Sequence, residues 1–194
     1  MARAKSKTKS KGKSTARNKG EPDAIALLKA DHRQVEEWFE QFEKAKDKGR
    51  QQALATKICD ALKVHATIEE EIFYPPFLEA TKDEDMYYEA EVEHDGAKKL
   101  IADIEHSTPE DPDFKSKLHV LSEMIKHHVK EEEQAGGMFA EAREAEMDLI
   151  GLGRELAQRK AELEAKEPDD SDDMPPPKGD QNRGVLGRLM RGTR

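Results

Sequence analysis

Four histidines and two glutamates stand where an α-helical core would be expected to carry aliphatic residues: His32, His65, His94 and His128, with Glu69 and Glu132. Glu69 follows His65 by four residues, and Glu132 follows His128 by four. Residues i and i+4 lie one above the other on a helix, so each pair offers an imidazole nitrogen and a carboxylate oxygen to one point in space. An ionised carboxylate in an apolar seam costs several kcal/mol unless it is paired or bound to a cation. The six residues together are therefore a candidate metal set. Imidazole plus carboxylate suits iron, zinc or manganese. A closed tetrahedral zinc site needs fewer ligands, whereas six donors over two carboxylate-bridged centres favour a di-iron or di-manganese site.

The elements that must position these residues are helices. Ile25, Leu28, His32, Val35, Phe39 and Phe42 follow alternating steps of three and four, which puts them on one helical face. Leu54, Ile58, Ala61, His65, Ile68 and Ile72 repeat the pattern, as do Tyr87, Ala90, His94, Ala97, Ile101 and Ile104, and then Leu118, Leu121, Ile125, His128 and Glu132. The expected helices cover about residues 22–47, 50–73, 82–106 and 112–135, with a short resumption to about 146 and a fifth segment at 148–166. Tyr74-Pro75-Pro76 is expected to stop the second. Thr81 to Glu84 reads as a capping box for the third, and Asp111-Pro112 as the start of the fourth. Each stripe is the seam of an all-α, up-down-up-down four-helix bundle with an additional C-terminal helical segment. The spacing is duplicated: His32 to His94 is 62 residues and His65 to His128 is 63. Two helical hairpins about a pseudo-two-fold axis would each bring two histidines, with Glu69 and Glu132 bridging between the metals.

These motifs resemble the hemerythrin-like HHE cation-binding domains over about residues 22–165. The resemblance rests on Asp31-His32, His65-Ala-Thr-Ile-Glu69-Glu-Glu, Glu93-His94, His127-His128-Val-Lys-Glu-Glu132-Glu, and the stretch from Met147 to Ala157. It implies two carboxylate-bridged irons per chain and binding of O2 or a related diatomic ligand or peroxide. The oxygen carriers of that family add a second histidine one turn from the first on their third helix. Here those positions are Ala90 and Lys98, which implies an open coordination position in place of plain oxygen carriage. The functions that follow are O2, nitric oxide or redox sensing, iron handling or stress response. A di-iron catalase- or peroxidase-like enzyme is the alternative.

His127 is adjacent to His128 but one step off the stripe. His106 and His119 read as surface residues, Cys59 as a small buried hydrophobe, Trp38 and Phe39 as packing, and Glu70, Glu71, Glu131 and Glu133 as a solvated face. A charged fraction of 39% is too high for the whole chain to form core. The net charge of −9 divides into +8 for residues 1–20 and −17 for the rest. Residues 1–21 read as a disordered basic leader, suited to non-specific contact with nucleic acid through counterion release. Residues 22–166 form the bundle, and 167–194 a disordered acidic, Pro-rich linker with a basic tail. One cysteine excludes an internal disulfide and fits a reducing cytoplasm. No apolar run is long enough to span a bilayer.

Overall fold

The computed structural model describes residues 23–165. The basic leader and the acidic, Pro-rich and basic tail expected from sequence lie outside these residues. Seven α-helices occur among the described residues: α1 (Ala24–Lys44), α2 (Lys48–Ile68), α3 (Tyr74–Thr81), α4 (Glu84–Glu105), α5 (Phe114–Glu133), α6 (Met138–Glu144) and α7 (Leu149–Glu164), with no strand. A π-helical turn, Glu69–Phe73, joins α2 to α3. Helices α1, α2, α4 and α5 form the four-helix bundle, α7 packs along α1 and α2, and α6 closes against α5 and α3. None of these helices is long and apolar enough to cross a membrane.

Side-chain caps set several starts. Asp23 accepts from the Ala26 N–H at 2.8 Å, Asp47 from Arg50 at 2.9 Å, and Asp83 from Met86 at 2.9 Å. Asp83, not Thr81, is therefore the cap of α4. Asp111 does not open α5 as expected. Its carboxylate turns back to accept the Thr108 N–H at 2.7 Å, closing the loop, and α5 begins at Phe114.

Tyr74-Pro75-Pro76 does not end the second helix. The π turn resets the register, and the two prolines fall in the first turn of α3, where a missing N–H costs nothing. Two apolar clusters result. One joins Val35, Phe39, Ile58, Ile101, Phe114 and Leu118. The other joins Ile25, Leu28, Phe73, Phe77, Phe139 and Leu156. The stripe histidines sit between them. Trp38 packs partly buried against the first cluster, and Cys59 is buried within it.

Candidate metal centre

All six stripe residues with metal-ligating side chains are buried, from 0% exposure at Glu69 to 6% at His65. His32 and His65 meet with their Nε2 atoms 3.0 Å apart. His94 and His128 do the same at 3.1 Å. The carboxylates cross between these pairs. Glu69 Oε2 lies 3.2 Å from His65 Nε2 and 3.5 Å from His94 Nε2. Glu132 approaches His32 Nε2 at 3.3 Å and His128 Nε2 at 3.7 Å. Donor atoms of His32, His65 and Glu69 lie within 4.8 Å of one another, and so do those of Glu69, His94 and His128.

A second layer of carboxylates faces the other ring nitrogens. His32 Nδ1 is 2.8 Å from Glu133, His94 Nδ1 is 2.9 Å from Glu70, and His128 Nδ1 is 2.8 Å from Glu93. His65 Nδ1 lies 3.5 Å from Asp31. The pattern obeys the duplication: Asp31 and Glu93 precede histidines on α1 and α4, while Glu70 and Glu133 follow the bridging glutamates. Each outer carboxylate meets a basic partner in turn. Lys29 and Arg33 hold Glu133, Lys98 holds Glu70 at 2.6 Å, Lys160 of α7 holds Asp31, and His127 approaches Glu93 at 3.3 Å. Glu70 and Glu133 are thus not a plain solvated face. The signal that identifies them is their place in the repeat, one residue after Glu69 and Glu132. His127 stands apart from the centre with its side chain 59% exposed. His106 and His119 are exposed too.

The stripe pattern also misses Tyr74. In an α-helix a residue five positions on is turned by about 140°. The π turn, in which the Tyr74 N–H donates to the Glu69 carbonyl, swings Tyr74 back over the glutamate's face. Its hydroxyl lies 3.3 Å from His94 Nε2, 3.3 Å from Glu132 and 3.4 Å from Glu69. The coordination position expected to be open beside His94 therefore has a buried phenol against it. Ala90 is buried there, and Lys98 reaches outward to Glu70. On the other half Phe139 stacks on His32 with ring centres 6.0 Å apart.

The crowded donors shift one another's protonation. Burial and the adjacent His65 depress His32 to about 4. Burial would also depress His65, but the Glu69 charge and the Asp31 carboxylate outweigh it and raise His65 to about 10. Burial and the Glu69 charge push Glu132 up. Burial opposes the charge on Glu69 as well, yet His65 holds that carboxyl below its ordinary range. Tyr74 is pushed well up by burial and by the charges of Glu69 and Glu132. Glu69 Oε1 and Glu132 Oε2 are buried without a hydrogen-bond partner, a costly state for polar atoms that a bound cation relieves.

Comparison with known proteins identifies the family. The profile of the Hemerythrin HHE cation binding domain matches residues 23–137. A solved hemerythrin HHE cation-binding domain-containing protein from Mycobacterium kansasii shares the fold. Its TM-score is 0.63 at 21% identity, over 74% of this chain and 88% of that one. A protein described as a DNA nickase, from Nostoc sp., is 28% identical over 120 residues. The match covers 60% of this chain but only 32% of that protein, so this chain corresponds to about a third of that relative's length. With the family profile covering more than half its length, the chain belongs to the hemerythrin HHE cation-binding domain family and is a metal-binding protein of that type.

Proposed function

We propose that the centre holds two iron ions, with His32, His65, His94 and His128 as terminal donors, Glu69 and Glu132 spanning the pairs, and the Tyr74 hydroxyl as a seventh donor. The observation that carries this reading is the facing of the imidazoles. In three of the four rings Nδ1 points at a carboxylate 2.8–2.9 Å away, which holds the ring proton there. In the His94–His128 pair both Nε2 lone pairs are then directed at each other across 3.1 Å. That arrangement is repulsive until a proton or a metal cation lies between them, and a metal cation also serves the adjoining carboxylates. Bound iron would supply redox chemistry and a position for a small diatomic ligand or peroxide. The protein's own residues orient the donors, keep water from them with the two apolar clusters, and hold the outer protons. The role that follows is O2, nitric oxide or redox sensing, iron handling or stress response, in a reducing cytoplasmic compartment.

Metal analysis of the purified full chain tests the reading. Close to two irons per chain are expected, with near-ultraviolet absorption from bridged ferric ions and a visible phenolate-to-iron band. The Tyr74→Phe protein should keep its iron and lose the visible band. Full occupancy by a single zinc would overturn the assignment. A second reading, association with nucleic acid, is favoured by the likeness to the Nostoc sp. DNA nickase and by the +8 charge of residues 1–20. Its test is plasmid binding and nicking by the full chain and by a chain lacking those residues. Equal, salt-insensitive behaviour of the two would remove the leader's part in it.

A further inference from the structure

Of the depressions that border the centre, one of about 20 Å³ is lined by all four stripe histidines with Asp31, Lys98 and apolar side chains and has room for about one water molecule; two wider ones differ in charge. The groove between α1 and α5, of about 370 Å³, opens over His32 and carries Arg33, Lys126 and Lys130 together with Glu36 and Glu133 on its walls. The other, of about 200 Å³, lies where the N-terminal half of α4, the C-terminal end of α5 and the start of α6 meet. Its carboxylates are Asp83, Asp85, Glu89, Glu93, Glu131 and Glu132, and neither lysine nor arginine lines it. The thioethers of Met86 and Met138 border it, and its floor is made by His128 and Glu132. Glu132 is 2% exposed, and one of its buried oxygens has no hydrogen-bond partner. The acidic pocket is bordered by His128 and Glu132, two buried members of the candidate metal set, and is not an isolated cluster of surface acids. Just outside it, Glu141 is pushed up by partial burial and by the neighbouring charges of Asp83 and Glu144, as expected where carboxylates crowd.

We propose that this acidic pocket is the port through which divalent cations enter the centre. The proposal rests on the metal-centre reading above and adds the route. A concave site lined by one sign of charge concentrates counter-ions and raises their capture rate by tenfold or more, an effect that salt suppresses. Asp85, Glu89 and Glu131 are the capturing groups. Glu93 and Glu132 receive the ion at the floor, where Glu93 already holds His128 and Glu132 belongs to the donor set. The groove over His32 mixes three basic with two acidic side chains, Arg33 being paired with Glu36 and Glu133, and so offers cations no comparable field.

The test is the rate of cobalt(II) uptake by the metal-free full chain, followed by stopped-flow absorbance at low and high salt. The variant Asp85→Asn/Glu89→Gln/Glu131→Gln leaves Asp83, which caps α4, and Glu93 intact. It should load on the order of tenfold more slowly at low salt, with a flatter salt dependence and the same final cobalt content. Lys126→Gln/Lys130→Gln, in the opposite groove, should load at the parent rate. Loading of the acidic-pocket variant at the parent rate would overturn the proposal. So would acceleration confined to the groove variant, which would place entry there. Failure of the parent protein to take up two cobalt ions would instead overturn the metal-centre reading, so the two failures are distinguishable.

Discussion

In the proposed centre a metal ion and a proton would compete for one nitrogen of His65. In the metal-free protein the ring is held charged up to about pH 10 by Glu69 and Asp31, and Glu132 tends to keep its proton through burial and the Glu69 charge. A metal ion needs His65 neutral and Glu132 ionised. Loading near pH 7 should therefore release protons into a weakly buffered solution, and apparent affinity should climb as pH rises from 6 towards 9. A pH electrode during metal titration measures the first, and chelator competition at several pH values the second. Stability of the metal-free chain should run the other way. His65 is raised above its ordinary 6.5 in the folded state, so its contribution is complete below that value and is lost as pH rises through about 10. A melting temperature that falls across this window without metal, and holds with it, is the expected pattern. The stripe periodicity made His32, His65, Glu69, His94, His128 and Glu132 legible, because a polar side chain in a core register stands out. Tyr74 was not legible, since an aromatic beside two prolines reads as a helix stop.

Among the elements, two departures from regular helix position the donors. The π turn after α2 carries Tyr74 over the centre. After α5 the counterpart is Gly136-Gly137. Gly136 has φ of 76°, in the left-handed region, and a Cβ there would meet nothing within 4 Å. Gly137 is different: a Cβ would lie 2.2 Å from the Glu131 carbonyl oxygen and 3.0 Å from that of Glu132. Gly137→Ala must therefore push the end of α5 and displace Glu132 and Glu133. It should lower stability by roughly 1–3 kcal/mol and weaken metal binding as well. Gly136→Ala should cost only about 1–2 kcal/mol of backbone strain and leave metal affinity unchanged. Thermal melts and chelator competition on both proteins separate the two effects. Neither departure follows from hydrophobic spacing. A π turn arises from how two helices and their prolines pack, and local propensity carries no record of that.

Across the whole molecule the outermost helix supports the innermost site. Lys160 on α7 holds Asp31, which faces His65, while Arg159 pairs with Glu71 in the π turn. Lys160→Met should loosen His65 and reduce metal affinity by roughly tenfold, with little change in helix content, and Lys160→Arg should restore it. Competition with a chelator of known affinity reads the difference. An unchanged affinity would make α7 a packing element alone. Sequence periodicity revealed that α7 exists but not where it docks, because a surface lysine has no register that points to a distant aspartate.

The duplication that builds the centre is broken at the two rings above it: Tyr74 against His94 and Phe139 against His32. One half of the centre sits beneath a hydroxyl group that hydrogen-bonds to its carboxylates, the other beneath a bare hydrocarbon face. In the two-iron centre proposed above, the two ions would consequently not be interchangeable. An incoming ligand would then have an address within the pair, and a molecule assembled from two matching halves would act as one with a left and a right.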